Sequence, residues 1–250
     1  MLAFRGKRVL VTGGSGDIGR ALCAAFAERG AQVAFTWFMS EEGRAASEEA
    51  ITRAGAEALA VRTNLRERGA PEAAVAEVVA AWGGLDVLIS NAATGVLRPA
   101  LELSQNQLQA VLTVNAGAFL ALAQAAAPHM PAGGRLLALT SAGAERAIEN
   151  YAAIGASKAA LESLVRHLAV ELAPRGLTVN AIRAGVVDTR ALLHFPNRET
   201  LLRGAQKRTP NGRLVTPADV ADVALLLASP QAAMIQGQTI TVDGGYGILA

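Results

Sequence analysis

Tyr151 and Lys158 stand seven residues apart in Tyr-Ala-Ala-Ile-Gly-Ala-Ser-Lys, a segment whose pattern reads as one helix. At 100° per residue, two turns bring both side chains back to nearly the same face, about 10 Å apart along the axis. Both can then reach one pocket. A phenol near an ammonium is a proton donor usable near neutral pH, because the cation favours the phenolate and draws the phenol below its ordinary value of about 10. A second cluster lies near the N-terminus. Residues 9–19, Val-Leu-Val-Thr-Gly-Gly-Ser-Gly-Asp-Ile-Gly, pass from an apolar β-type run through glycines into the helical pattern of residues 20–29. Glycines let backbone approach a pyrophosphate, and a helix start offers unpaired N–H groups and a positive dipole end. Gly14-x-Gly16-x-x-Gly19 fits the dinucleotide fingerprint, which makes Gly13, Ser15, Gly16, Asp17, Ile18 and Gly19 the candidate phosphate cradle. A carboxylate there would repel the pyrophosphate, so Asp17 is expected to turn away and cap the helix.

The elements that must position these residues alternate. Strands are expected over 7–12, 32–37, 57–61, 86–90, 134–140, 177–182 and 238–242, each short and rich in Val, Leu or Ile. Helical patterns lie between them, at about 18–29, 41–54, 71–81, 101–130 as two helices, 150–173 and 217–228. Near-continuous apolar strands separated by helices imply a parallel α/β sheet covered on both faces, doubly wound, of about seven strands in a single domain over 1–250. The stretch 188–215, with His194-Phe-Pro-Asn-Arg198 and Thr209-Pro-Asn-Gly212, is the least regular and is placed to cover a ligand beyond the carboxyl ends of the strands.

Composition narrows the function. With 52% apolar residues the chain can bury a large core, and its net charge of +2, with acids and bases interspersed, offers no nucleic-acid patch. Cys23 is a lone cysteine on the apolar side of the first helix and reads as core. His129, His167 and His194 are far apart without ligand spacing, so no metal is expected. No signal-peptide order opens the chain, and polar residues interrupt the apolar stretch near 110–130, so a soluble cytoplasmic protein without a membrane span is expected.

Several motifs in order resemble the short-chain dehydrogenase/reductase family over nearly the whole chain. They are Thr12-Gly13…Gly19, Ser90-Asn91-Ala92-Ala93, Asn115, Ser141, Ser157-Lys158-Ala-Ala-Leu, Val179-Asn180-Ala181-Ile182 and Gly237-Gln-Thr-Ile-Thr-Val-Asp243-Gly-Gly245. Asp17 stands where the family loop has a glycine, and Ala184-Gly185 where it has Pro-Gly. The family's Tyr-x-x-x-Lys would put the donor at 154, which is Ile154, while its Ser falls on Ser141. Tyr151 resembles the Tyr-x-x-x-x-x-x-Lys of the enoyl-acyl-carrier-protein reductases, a branch of that family. Residues 90–99, Glu149-Asn-Tyr151, His194–Glu199 and Met234–Thr239 are similar to their NADPH-using third bacterial type.

The resemblance implies a Rossmann-type single catalytic domain that reduces a trans-2-enoyl thioester on acyl carrier protein in fatty-acid elongation, as a homotetramer. It also implies roles: Tyr151 as donor to the thioester oxygen, Lys158 on the nicotinamide ribose and lowering the Tyr151 pKa, and Asn115 holding a proton-relay water or serving only as a helix-bend amide. Ser141 either orients substrate or caps its strand. Asn91, Ala92 and Ala93 correspond to the ribose-contacting turn, Asn64 with Leu65 to the adenine site, and Thr189 to the contact with carboxamide or pyrophosphate. Trp37 occupies the position of the acid that marks NAD use, which favours NADPH over NADH, with Ser40 and Arg44 as the remaining candidates near the 2′-phosphate. A ketoreductase or alcohol dehydrogenase of the same family, and a non-catalytic dinucleotide sensor that lost the Tyr at 154, stay open.

Overall fold

Alternation along each strand sends side chains to two faces, so an all-parallel sheet needs apolar residues at nearly every position. Arg8–Val11 (β1) shows it: Val9 and Val11 join the core on one side and Leu10 the core on the other. In the computed structural model, which describes residues 4–194 and 198–249, six more strands complete the sheet, the edge strands β3 and β7 being less buried: Gln32–Trp37 (β2), Ala58–Arg62 (β3), Val87–Ser90 (β4), Arg135–Ser141 (β5), Thr178–Ala184 (β6) and Thr239–Val242 (β7). They pair in parallel in the order β3-β2-β1-β4-β5-β6-β7. Asp17–Ala27 (α1), Glu41–Arg53 (α2) and Pro217–Ala228 (α8) cover one face, through Leu22, Phe26, Ile51 and Leu225 among others. Ala70–Trp82 (α3), Ala118–Ala126 (α5) and Ala152–Leu172 (α6) cover the other, through Val75, Phe119, Leu122 and Leu161. The strand order reverses between β1 and β4, which opens the ligand crevice beyond their carboxyl ends.

The expected doubly wound, seven-stranded sheet is therefore present, with three local corrections. The two helices expected over 101–130 run as one continuous rod, because Gln105–Leu112 (α4) passes into α5 through a π turn at Thr113–Gly117. Helix α6 begins at Ala152, so Tyr151 is its N-terminal flanking residue, with φ −105° and ψ 9°, and only its carbonyl, accepting from Gly155 N at 2.8 Å, joins the helical ladder. The stretch 188–215, expected to be irregular, holds a 3-10 turn at Arg190–His194 and a helix at Arg198–Arg208 (α7). That helix is strongly charged and has only a short apolar group, Leu201, Leu202 and Ala205, of which Ala205 is buried, so little in its sequence marks it as a helix. Phe195, Pro196 and Asn197 of the same stretch lie outside the described residues.

The rod Gln105–His129 is long and apolar enough to cross a membrane, but more than half of its most apolar window is buried. Phe119, Leu122 and Ala126 pack it onto the sheet. Cys23 is buried in the core, where desolvation pushes its thiol far above the ordinary range.

Candidate active site

Three strand ends meet at the crevice. β1 feeds the glycine loop, β4 feeds the turn at Asn91, and β5 ends on Ser141. Thr12, fully buried, ties the first two: its hydroxyl accepts from the backbone N–H groups of Asn91 and Ala92 at 3.0 and 3.1 Å. Asn91 returns the contact, its side-chain amide donating to the carbonyls of Thr12 and Gly13 at 3.0 and 3.1 Å. Its side chain thus holds the loop.

Gly13 and Gly19 of the loop cannot accept side chains. Gly13 has φ +65°, and a Cβ there would lie 2.9 Å from the Ala92 Cα; a Cβ on Gly19 would overlap the Gly13 carbonyl. Gly16 is different: a Cβ there meets nothing nearer than 3.5 Å, so this residue borders open space. Gly16 is also the N-cap of α1, and no side chain caps the helix. The first-turn N–H groups of Asp17, Ile18 and Gly19 are therefore free of any side-chain cap, which is the chemistry a pyrophosphate needs. Helix α2 braces the loop from behind: Ser47, buried, donates to the Gly14 carbonyl at 2.9 Å, and a Cβ on Gly43 would run into the Ser15 carbonyl.

Asp17 turns away from this cradle as expected, but it does not cap the helix. One carboxylate oxygen accepts from the Arg190 backbone N–H at 2.7 Å, the other pairs with Arg20 at 3.2 Å and with the Arg190 guanidinium at 3.3 Å. Arg190 also donates to the Ser15 carbonyl at 3.1 Å. The acid thus fastens the segment after Thr189 to the phosphate loop, and two guanidinium groups offset its charge.

At the far end of β2, Trp37 is nearly buried between two arginines, Arg44 from α2 and Arg62 from the end of β3, each 5.5 Å from the ring centroid. Arg44 is already engaged by Glu41 and Glu48 at 2.8 and 2.5 Å. Arg62 has no ion pair among the described residues. The sequence reading missed it; the signal was the strand pairing that sets Trp37 opposite Arg62. Ser40, a candidate for cofactor contact, caps α2 by accepting from Gly43 N at 3.0 Å. Asn64 closes the turn before α3, accepting from Arg66 N at 3.2 Å and donating to Glu67 at 2.9 Å, while Leu65 is buried against Val114 and Ala118.

The reacting end lies between β5 and α6. The Tyr151 hydroxyl is 3.4 Å from the Ser141 hydroxyl. Burial pushes this phenol above its ordinary value and the contact with Ser141 draws it part of the way back, so the expected net lowering is not what the site produces. The ring lies over Gly143, where a Cβ would come within 2.6 Å of two ring carbons. Gly143 was not among the expected site residues. Lys158 is 6% exposed and donates to the Leu139 carbonyl at 2.7 Å. Desolvation pulls its ammonium down to about 8, against the field of Glu162, which raises it. Position 154 is closed: Ile154 is 9% exposed, packs with Val111 and Ala153, and fills the space over Gly95. Of the two tyrosines in the chain, Tyr246 lies near the C-terminus stacked with Arg208, so Tyr151 is the phenol of this site.

Asn115 sits in the π turn, 1% exposed, and its side chain is fully used: it accepts from Thr94 N at 2.8 Å and donates to the Thr94 carbonyl at 3.0 Å and to Ser157 at 2.9 Å. It clasps the loop after β4 to α6. Thr189 stands just before the 3-10 turn, whose Leu192 N–H bonds its carbonyl at 3.0 Å. Among the described residues no cluster of His, Cys, Asp or Glu is suited to a metal ion.

A phenol, a buried ammonium and a hydroxyl at the mouth of a dinucleotide crevice are the parts of a reductase. The sequence model of the family described as enoyl-(acyl carrier protein) reductase matches residues 14–247. The chain belongs to the short-chain dehydrogenase/reductase family. It is 36% identical to a 1-cyclohexenylcarbonyl-CoA reductase of Streptomyces collinus, with 99% of this chain and 89% of that one covered. It is also 36% identical to a cyclic-di-GMP-binding biofilm dispersal mediator of Escherichia coli, over 99% of this chain and all of the other, and 34% identical to a sorbitol dehydrogenase of Cereibacter sphaeroides, over 96% and 97%. Among solved structures, a short-chain dehydrogenase/reductase from Serratia marcescens superposes with a TM-score of 0.90 at 34% identity, over 97% of this chain and 98% of that one. A Burkholderia cenocepacia family member in complex with NADP gives the same score and identity over 98% and 99%. This family member is accordingly an oxidoreductase with a nicotinamide dinucleotide as its cofactor.

Proposed function

We propose that the chain reduces the carbon–carbon double bond of a trans-2-enoyl thioester at the expense of NADPH. The observation that carries the reading is the displaced phenol: Tyr151 faces Ser141 at 3.4 Å while the ordinary donor position is a buried isoleucine. In ketone reduction the proton goes to an oxygen one bond from the carbon that receives hydride. In enoyl reduction hydride reaches the β-carbon, and negative charge gathers on the thioester oxygen several bonds away. Tyr151 stands three residues before position 154 and just outside the start of α6, which sets the donor away from the ordinary position, the direction the second reaction needs.

The glycine loop and the start of α1 would hold the pyrophosphate, Lys158 would hold the nicotinamide ribose, and Arg62, beside Trp37 and without an ion pair among the described residues, would give the 2′-phosphate its counter-charge. NADPH supplies the hydride when bound. Tyr151 donates a hydrogen bond from Oη to the oxygen on which the enolate charge develops, a contact stronger in the transition state than in the ground state. Its raised pKa keeps it protonated for that task. Ser141 fixes the phenol, and a proton taken up from solvent water at the α-carbon completes the reduction.

The thioester class is supported by the family description and by the acyl-CoA named for the Streptomyces relative. We place the acyl group on acyl carrier protein in fatty-acid elongation, and the protein in the cytoplasm. The outward side of α6 bears Ala152, Ala156 and Ala159, all exposed, and Val170 at 76% exposure, a surface suited to helix-on-helix contact in a homotetramer. The test is turnover of crotonyl against acetoacetyl thioesters, each offered on carrier protein and on coenzyme A. Enoyl reduction on either carrier supports the class and the faster carrier names the partner. Ketone reduction alone refutes it, and binding of NADPH with no turnover of any thioester points to a sensor.

A further inference from the structure

Behind Lys158 lies a polar chain that the proposed reaction does not use. Glu162, one helical turn after Lys158 and 6% exposed, accepts from the Thr140 hydroxyl at 2.8 Å and from Arg183 through both oxygens at 2.9 and 2.8 Å. The arrangement follows from strand register. Thr140 of β5 pairs with Arg183 of β6, so hydroxyl and guanidinium leave the sheet side by side and meet the same carboxylate on α6. Arg183 is shared: it also binds Glu145 at 2.7 Å, in the loop that runs from Ser141 to Tyr151. Leu139, which accepts from Lys158, Thr140 and Ser141 are consecutive in β5. One strand end therefore carries the contacts of the lysine, of its neighbouring acid and of the tyrosine.

A carboxylate as buried as Glu162 is costly to desolvate, and a half-buried guanidinium offsets that cost only in part. A buried acid one helical turn from a buried ammonium calls for a functional reason. We propose that Glu162 is a positioning residue of the active site: it supplies the counter-charge that keeps the buried Lys158 ammonium charged at the sheet edge, and Arg183 sets the strength of that counter-charge while tying it to the loop that carries Tyr151. Other ionisable groups border this chain. Tyr151 flanks the N-terminus of α6, Arg183 comes from β6, and Glu145 and Arg146 come from the loop after β5, Arg146 being held by the Gly247 carbonyl. α4 and the π turn, which also pack on α6, contain no ionisable side chain. Glu162 is thus the nearest acid on the helix, and the downward pull of burial on Lys158 is opposed by it.

The inference rests on Lys158 serving the cofactor site and not on which thioester is reduced, and it is read without substrate. The chain has three lysines, Lys7, Lys158 and Lys207, so lysine-labelled protein gives a side-chain NMR titration in which Lys158 is assigned by its loss in Lys158→Arg. The wild-type midpoint is expected at about 8. Glu162→Gln, which keeps the acceptor for Thr140, should lower it by about one pH unit. Arg183→Met removes the pairing cation and should raise it; either variant alone decides. Cofactor binding follows the same order, with the alkaline weakening of the NADPH Kd beginning about one pH unit earlier in Glu162→Gln. An unmoved midpoint in Glu162→Gln, or a lower one in Arg183→Met, overturns the proposal, whereas a failure of enoyl turnover with these shifts intact would count against the substrate reading alone.

Discussion

Gly143 offers a sharp test of how tightly the phenol is held. In Gly143→Ala the new methyl would sit 2.6 Å from two carbons of the Tyr151 ring, where ordinary contact begins near 3.4–4 Å. The ring must therefore retreat by about 1 Å. Gly143 is not among the glycines with positive φ, so the backbone accepts alanine and the whole effect falls on the ring. A misplacement of about 1 Å costs on the order of 10²-fold in rate, equivalent to about 2.7 kcal/mol of barrier. The overpacking cost to stability is expected at about 1–3 kcal/mol, too little to unfold a domain of this size at room temperature. The assay is steady-state loss of NADPH absorbance with a crotonyl thioester, beside the Kd for NADPH and the melting temperature. We expect kcat to fall about 10²-fold with an unchanged Kd. Gly204→Ala in α7, where a Cβ meets nothing within 4 Å, is the control and should leave kcat alone. Activity in Gly143→Ala within about threefold of wild type would refute the packing argument, since the ring would then have room the structure denies it.

Three further outcomes follow from the same geometry. NADPH should exceed NADH in kcat/KM by on the order of tenfold, about 1.4 kcal/mol, and Arg62→Ala should erase most of that margin; a clear NADH preference in steady-state kinetics would contradict it. With Lys158 titrating at about 8 and required as a cation, kcat/KM should decline as pH rises through that value, while Tyr151, raised above its ordinary range, stays protonated across it. A profile flat to pH 10 would separate Lys158 from the reaction. Light scattering at micromolar concentration should report four copies, and a monomer would exclude the assembly assigned to α6.

The sheet was legible because its strands are nearly continuous apolar runs separated by amphipathic helices, a pattern that leaves little choice of topology. Helix α7 was not, since Leu201, Leu202 and Ala205 make an apolar cluster of about one turn among Arg198, Glu199, Arg203, Lys207 and Arg208, too short to stand out. The glycine loop and the Tyr151–Lys158 spacing were visible because sequence-local geometry creates them. Partnerships between distant elements were hidden for the opposite reason. Asp17 with Arg190 spans 173 residues, Arg62 reaches Trp37 only through the β2–β3 ladder, and Gly143 matters only because the loop folds it under a ring. The same limit explains the electrostatic correction at Tyr151. Charge spacing along a helix suggested a lowered phenol, but burial, which the sequence does not display, raises it, and the contact with Ser141 draws it only part of the way back.

The central claim is that the phenol at 151, one turn before the ordinary position, performs enoyl reduction. The most direct measurement compares crotonyl-thioester reduction by Tyr151→Phe and by Tyr151→Phe with Ile154→Tyr, each with its NADPH Kd. Tyr151→Phe should lose at least about 10²-fold in kcat with nearly unchanged NADPH affinity, because the hydroxyl acts on charge that develops in the transition state. The relocated tyrosine should not restore it, since position 154 faces the packed space over Gly95. Near-wild-type turnover by Tyr151→Phe would contradict the assignment of the donor, and full recovery by the double variant would contradict the spacing.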